Sequence, residues 1–135
     1  MKQMDPAEWD WTRPVFDHVH LRVADLETSK AFYGEALEPL GIPLLLDTPH
    51  LVSFANLALS GDGPASERVH LAFLAATREQ VSSFHAAGLG AGGTDNGGPG
   101  VRAQYGPPDM DYFSAYVLDP DGNNVEAVHR SPSGD

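Results

Sequence analysis

The sequence predicts an α+β fold in which one unit, strand–helix–strands, is built twice. Three observations carry that expectation. Each half opens on a short strand-like run, "VFDHVHLRV" (15–23) and "RVHLAFLA" (68–75). Each run leads into a helix-capping residue and a stretch with helical spacing. A shift of 52 residues then lays Leu71 on Val19, Phe73 on Leu21, Phe84 on Phe32, Leu89 on Leu37 and His70 on His18.

Taken in order, residues 1–14 form an N-terminal extension, in which Trp9 and Trp11 are expected to cover a subunit or module edge. After the first strand, Asp25 caps a helix from 26 to about 38, with Leu26, Phe32, Tyr33, Ala36, Leu37 and Leu40 on its apolar side. "GIP" ends it, and "PLLL" (43–46), "HLVSF" (50–54) and "NLALS" (56–60) read as strands between turn residues. "GDGPAS" (61–66) is a linker by composition. Module one is thus about 15–60 and module two about 68–130. In the second, Thr77 and Gln80 form a capping box for a helix that turns Val81 and Phe84 inward. "GLGAGGTDNGGPG" (88–100) contains G-x-G-x-G-G, but it follows a helix instead of joining a strand to one, so it is no dinucleotide loop. It reads as a helix stop, an edge strand and, as part of a stretch from 88 to 112, a mobile segment near the site. "YVLDPDGNNVEAVH" (116–129) is a hairpin whose Asp119, Pro120, Asp121 and Gly122 are turn chemistry.

At 135 residues the chain is one domain. It has no cysteine, which excludes disulfides, thiolate metal sites and a cysteine nucleophile. Eight Lys+Arg against nineteen Asp+Glu give a formal charge of −11, which argues against nucleic acid as a partner and suits a cationic ligand or a divalent metal. The N-terminus lacks the apolar core of a signal peptide, and no apolar run approaches a membrane span. A soluble cytoplasmic protein with no membrane partner is the expectation.

Strand alternation says where the chemistry points. Val19, Leu21 and Val23 share one face, with Val69, Leu71 and Phe73 their counterparts, and both sets lie under the helices. The opposite face collects His18, His20, His70, Tyr112, Ser114, Tyr116, Asn124 and Glu126, given the last strand's register. Glu126 sits among Val125, Ala127 and Val128, and an unpaired carboxylate buried there would be costly. Either it faces water or something positive meets it.

"DHVHLRVADLETSKAFYGEAL" in the first half and "RVHLAF", "FHAAGLGAGGTDN" and "YVLDPDGNNVEAV" in the second resemble the vicinal oxygen chelate superfamily. That group includes glyoxalase I, bleomycin-resistance proteins, fosfomycin-resistance enzymes and extradiol dioxygenases. The resemblance covers residues 15 to about 130. It implies two βαβββ modules forming a curled mixed-sheet cup around a divalent metal. His18, His70 and Glu126 match the ligand positions, a donor set suited to Fe2+, with Mn2+, Zn2+, Ni2+ or Co2+ as other candidates. Tyr116 is the expected catalytic group, donating or accepting a hydrogen bond at a substrate oxygen, with His20, Arg102, Tyr105 and Tyr112 as substrate contacts.

Within that resemblance the chain departs from several members. Glyoxalase I-like enzymes take a fourth ligand from the last strand of module one, where this sequence has Asn56 or Ala58. Fosfomycin-type enzymes hold a phosphonate with several cations, and few stand here beyond Arg22 and Arg102. Extradiol enzymes resemble it in "Y-x-x-D-P-x-G-x-x-x-E", but their histidine just upstream is missing from "YGPPDMDYFSA". The expectation is a metal-dependent, dioxygenase-like or lyase-like enzyme acting on a small substrate chelated through vicinal oxygens. Its alternative is a metal-free dimer that sequesters a cationic drug such as a bleomycin-type antibiotic. Open sheet edges predict a homodimer.

Overall fold

The computed structural model describes residues 1–105 and 109–133. Gly106, Pro107 and Pro108, within the 88–112 stretch expected to be mobile, lie outside the described residues, as do the final two. The first half runs β1 (Val19–Arg22), α1 (Leu26–Leu37), β2 (Leu44–Asp47), β3 (Val52–Phe54) and β4 (Leu57–Ser60). The second runs β5 (His70–Leu74), α2 (Arg78–Gly90), β6 (Thr94–Val101), β7 (Met110–Leu118) and β8 (Asn124–Pro132). The two four-stranded sheets have one topology, β1-β4-β3-β2 and β5-β8-β7-β6, with a parallel pair at one edge and antiparallel pairs elsewhere. They remain two open sheets, each a mixed-sheet module.

Local chemistry accounts for the helices. Asp25 Oδ1 accepts the Thr28 N–H at 2.9 Å, and Thr77 Oγ1 accepts the Gln80 N–H at 3.1 Å. Gln80 returns a bond, but to the N–H of Ala76, one residue before the cap. The inward side of α1 is Phe32, Tyr33, Ala36 and Leu37, all fully buried. α2 buries Val81 and Phe84 with them, against Val117, Val125 and Ala127 of the second sheet and Leu59 of the first. The repeat breaks at its end: Leu37 is buried, whereas Leu89 is exposed and Gly88 takes the inward place. A Cβ on Gly88 would stand 3.2 Å from Val117, so the helix lies close on β7 because that residue has no side chain.

The first strand is shorter than its sequence suggests. Pairing with β4 begins at Val19, whose N–H reaches the Asn56 carbonyl, and residues 15–18 pair with no strand among the described residues. Val15 and Phe16 stay exposed, and so does Trp11 in the leader; Trp9 is half-buried.

The D-P-D-G-N turn between β7 and β8 joins the modules. Asp119 Oδ1 accepts the N–H groups of Asp121 and Asn123, both at 2.9 Å, and its Oδ2 accepts the Tyr33 hydroxyl of α1 at 2.6 Å. Asp121 accepts from the Ala24 N–H at 3.2 Å. Asn123 Oδ1 accepts from Val69 N at 2.9 Å, and its amide donates to the Ser66 carbonyl at 3.0 Å. Turn chemistry therefore doubles as a clasp between halves.

Candidate functional site

The second sheet builds a pocket from its pleat. Glu126 on β8 pairs with Ala72 of β5 on one side and Tyr116 of β7 on the other; Tyr112 pairs with Arg130 and His70 with Asn124. Paired residues share a face, so the register places Glu126 with His70, Tyr112 and Tyr116, away from the helices. Because β8 is an inner strand, Glu126 is only 1 % exposed. Its charge is met by hydrogen bonds: His70 Nε2 lies 2.7 Å from Oε1, and the Tyr112 hydroxyl donates to Oε2. Above it opens a pocket of about 740 Å³, a volume suited to a small molecule, walled by Tyr105, Tyr112 and Tyr116.

Both inner tyrosines are held in the neutral form. Burial raises the Tyr112 pKa well above that of a free phenol, and its bond to the Glu126 carboxylate adds to the rise. Burial likewise raises Tyr116, and the Glu126 charge adds to that. The Ser114 hydroxyl donates to the Tyr116 oxygen at 3.3 Å, leaving the Tyr116 proton for Glu126 or for a ligand.

The other residues singled out in the sequence fall as follows. Arg102 and Tyr105 line the pocket with Tyr112. His20 stands on the first sheet, where its Nε2 lies 2.6 Å from Ser60 Oγ, which donates in turn to Asp62 at 2.5 Å. His18, one residue before β1, is largely exposed and pairs with Asp17 at 2.7 Å. It does share a cleft of about 410 Å³ between β1 and β5 with His70. Among the described residues no three His, Cys, Asp or Glu side chains converge as a metal site. His70 and Glu126 are the two donors brought together, and imidazole with carboxylate is chemistry a divalent ion accepts.

Arg130, Asn96, Gln104 and Asn124 line the same pocket, and of these only Asn124 stood out in the sequence. Arg130 was legible by alternation, four residues beyond Glu126 on one strand. Asn96, whose amide donates to Asn124 Oδ1 at 3.1 Å, and Gln104 carried no sequence signal.

The molecule is thus a duplicated βαβββ scaffold of two mixed-sheet modules, with a buried carboxylate, an imidazole and tyrosines beneath an open pocket. The chain belongs to the Glyoxalase/Bleomycin resistance protein/Dioxygenase superfamily, whose family model matches residues 15–127. It is similar to a glyoxalase/bleomycin resistance protein from Albidiferax ferrireducens, at 36 % identity over 85 % of this chain and 98 % of that one, with a TM-score of 0.74. It also shares its fold with a lactoylglutathione lyase from Agrobacterium tumefaciens, at 21 % identity over 87 % of this chain and 94 % of that one, with a TM-score of 0.60. A glyoxalase-related enzyme from Fulvimarina pelagi matches at 23 % identity over 85 % of this chain and 87 % of that one, with a TM-score of 0.61. Among curated proteins nothing matches the chain. Among the described residues no helix is long and apolar enough to cross a membrane.

Proposed function

We propose that this protein is a metal-dependent enzyme with dioxygenase-like or lyase-like activity on a small substrate that chelates through neighbouring oxygens. One observation carries the reading: a fully buried carboxylate, Glu126, meets an imidazole and a tyrosine hydroxyl at the base of an open pocket. Such a group is expensive to bury unless hydrogen bonds or a positive charge meet it there. His70 and Glu126 are the residues that would hold the ion, with His18, from the shared cleft, as third donor. Fe2+ is favoured, and Mn2+, Zn2+, Ni2+ and Co2+ accept the same donors. A bound ion supplies Lewis acidity or O₂ activation at the substrate oxygens.

The chain's own groups have separate tasks. Tyr112 holds Glu126 in orientation through Oε2. Tyr116, kept protonated, donates to a substrate oxygen, and Ser114 orients its hydroxyl. Tyr105 packs edge-on against Tyr112, with ring centroids 5.4 Å apart, and closes one wall. A homodimer belongs to this reading, because β2 leaves Leu44, Leu45 and Leu46 exposed at an edge of the first sheet and β5 leaves Leu74 exposed at an edge of the second.

Elemental analysis of protein purified without added metal tests the proposal. Glu126→Gln keeps the size and removes the charge, so bound metal should fall sharply while the empty fold keeps or gains stability. His18→Ala and His70→Ala should each lose metal, and His20→Ala should retain most of it. Wild-type protein that takes up no ion from Fe2+, Mn2+, Ni2+ or Zn2+ refutes the reading. A metal-free dimer that sequesters a cationic drug is the second reading. It is favoured by one observation, that both Glu126 oxygens already hold hydrogen bonds from the chain.

A further inference from the structure

The pocket carries a charge pattern opposite to that of the molecule. In a chain with a formal charge of −11, three of the eight Lys and Arg side chains have an acid beside them: Arg22 has Asp62 at 3.5 Å, Lys30 has Asp47 at 2.7 Å, and Arg78 has Asp111 at 3.1 Å. Arg102 and Arg130 have no carboxylate within 4.0 Å among the described residues, and both line the pocket above Glu126. The remaining cations without such a partner, Lys2, Arg13 and Arg68, lie in the leader and in the connection before β5. Two guanidiniums against one carboxylate leave the pocket positive, and Glu126 is already occupied by His70 and Tyr112.

Both guanidiniums are positioned by the fold. Arg130 lies 4.8 Å above the Tyr112 ring, and Arg102 lies 5.5 Å above the Tyr116 ring while donating to the Gly98 carbonyl at 2.6 Å. The glycine-rich edge strand makes room for Arg102. A Cβ on Gly100 would stand 2.8 Å from its Nη1, and one on Gly97 would stand 3.5 Å from its Nη2 and 2.8 Å from Tyr116. The run of glycines in β6 thus leaves room for the Arg102 guanidinium at the pocket wall. A guanidinium so placed still has N–H groups to give, in the fork geometry that matches a carboxylate.

We propose that the pocket takes a small planar anion, a carboxylate borne on a conjugated or aromatic frame, with its charged end held by Arg102 and Arg130. The frame packs among Tyr105, Tyr112 and Tyr116. Repulsion by Glu126 turns the carboxylate outward, so the neutral, oxygen-bearing end of the substrate points down to Glu126 and His70. This deepens the proposed function by naming the substrate's charge, and it rests on that reading only for the location of the substrate pocket. It also opposes the cationic ligand that the net charge suggests.

Benzoate, benzamide and benzylamine share one ring and differ in charge, so calorimetric titration of chelator-treated protein with each is the test. Benzoate should bind about tenfold tighter than benzamide, and benzylamine weaker still. Arg102→Ala and Arg130→Ala should each remove that preference without a change in Tm. Gly100→Ala should do so in part, because its Cβ displaces only the flexible end of Arg102. Benzamide binding as tightly as benzoate, benzylamine binding tighter, no binding of benzoate at millimolar concentration, or an unchanged preference in both arginine variants overturns the proposal. Loss of metal in Glu126→Gln is read on a separate axis, so the metal reading and the anion subsite fail independently.

Discussion

Tyr33→Phe removes one oxygen from the middle of the molecule and should show how much the clasp between modules contributes. The ring is fully buried, and its hydroxyl donates at 2.6 Å to Asp119, itself 5 % exposed. The substitution leaves Asp119 Oδ1 with the N–H groups of Asp121 and Asn123 and strips Oδ2 of this donor. A buried hydrogen bond to a charged acceptor is worth roughly 1.5–3 kcal/mol, and an acceptor left unsatisfied costs a similar amount, so about 2 kcal/mol is expected. With about 2.1 cal/mol/K of unfolding entropy per residue over 135 residues, that is a fall in Tm of about 7 °C. Burial first, and the Asp119 charge second, raise the Tyr33 pKa, so the folded chain favours the neutral phenol. The resulting stability is complete below about pH 10, where an unfolded tyrosine begins to ionise, and declines as pH rises beyond it. The gap between wild type and variant should therefore narrow above pH 10. Calorimetry at pH 7 and again at alkaline pH measures both effects. A Tm within a degree of wild type at pH 7 would refute the reasoning, because it would mean that Asp119 does not need this donor.

Three further outcomes follow from the packing. Gly93→Ala would put a Cβ 2.4 Å from Val117 and 2.7 Å from Phe32, so it should cost about 1–3 kcal/mol, read as a lowered denaturant midpoint with unchanged slope. Ser29→Ala should be neutral or raise Tm by a few degrees, because the buried Ser29 hydroxyl has no hydrogen-bond partner among the described residues and alanine is the better helix former. Sedimentation at micromolar concentration should find a dimer that covers the exposed leucines of β2 or the edge at β5; a monomer removes that part of the proposal.

The duplicated architecture was legible because the signals behind it are local. Asp25 and Thr77 cap helices through bonds to residues three positions on, and the period of two along "NNVEAVH" sets Glu126 opposite Val125 and Ala127 whatever surrounds them. A shift of 52 residues carries α1, residues 26–37, onto 78–89, within one residue of α2. The site was legible in part for the same reason: alternation, with the last strand's register assumed, put His70, Tyr112, Tyr116 and Glu126 on one face, and the observed register keeps them there.

Other features depend on which strands become neighbours, which no local pattern encodes. His18 is one residue outside β1 because its pairing with β4 begins at Val19, so its equivalence to His70 in sequence is not matched by an equivalent place in the sheet. Glu126 is buried because β8 lies between β5 and β7, a fact of strand order. The D-P-D-G-N turn reads as a hairpin until Tyr33, 86 residues earlier, is seen to donate to it. The positive pocket is the clearest case. Net charge is a sum over the chain and suits a cationic ligand or a divalent metal, whereas a ligand meets only the charges brought within a Debye length of it. Tertiary folding paired Arg22, Lys30 and Arg78 with acids and set Arg102 and Arg130 beside tyrosines, leaving an acidic protein with a cationic pocket wall.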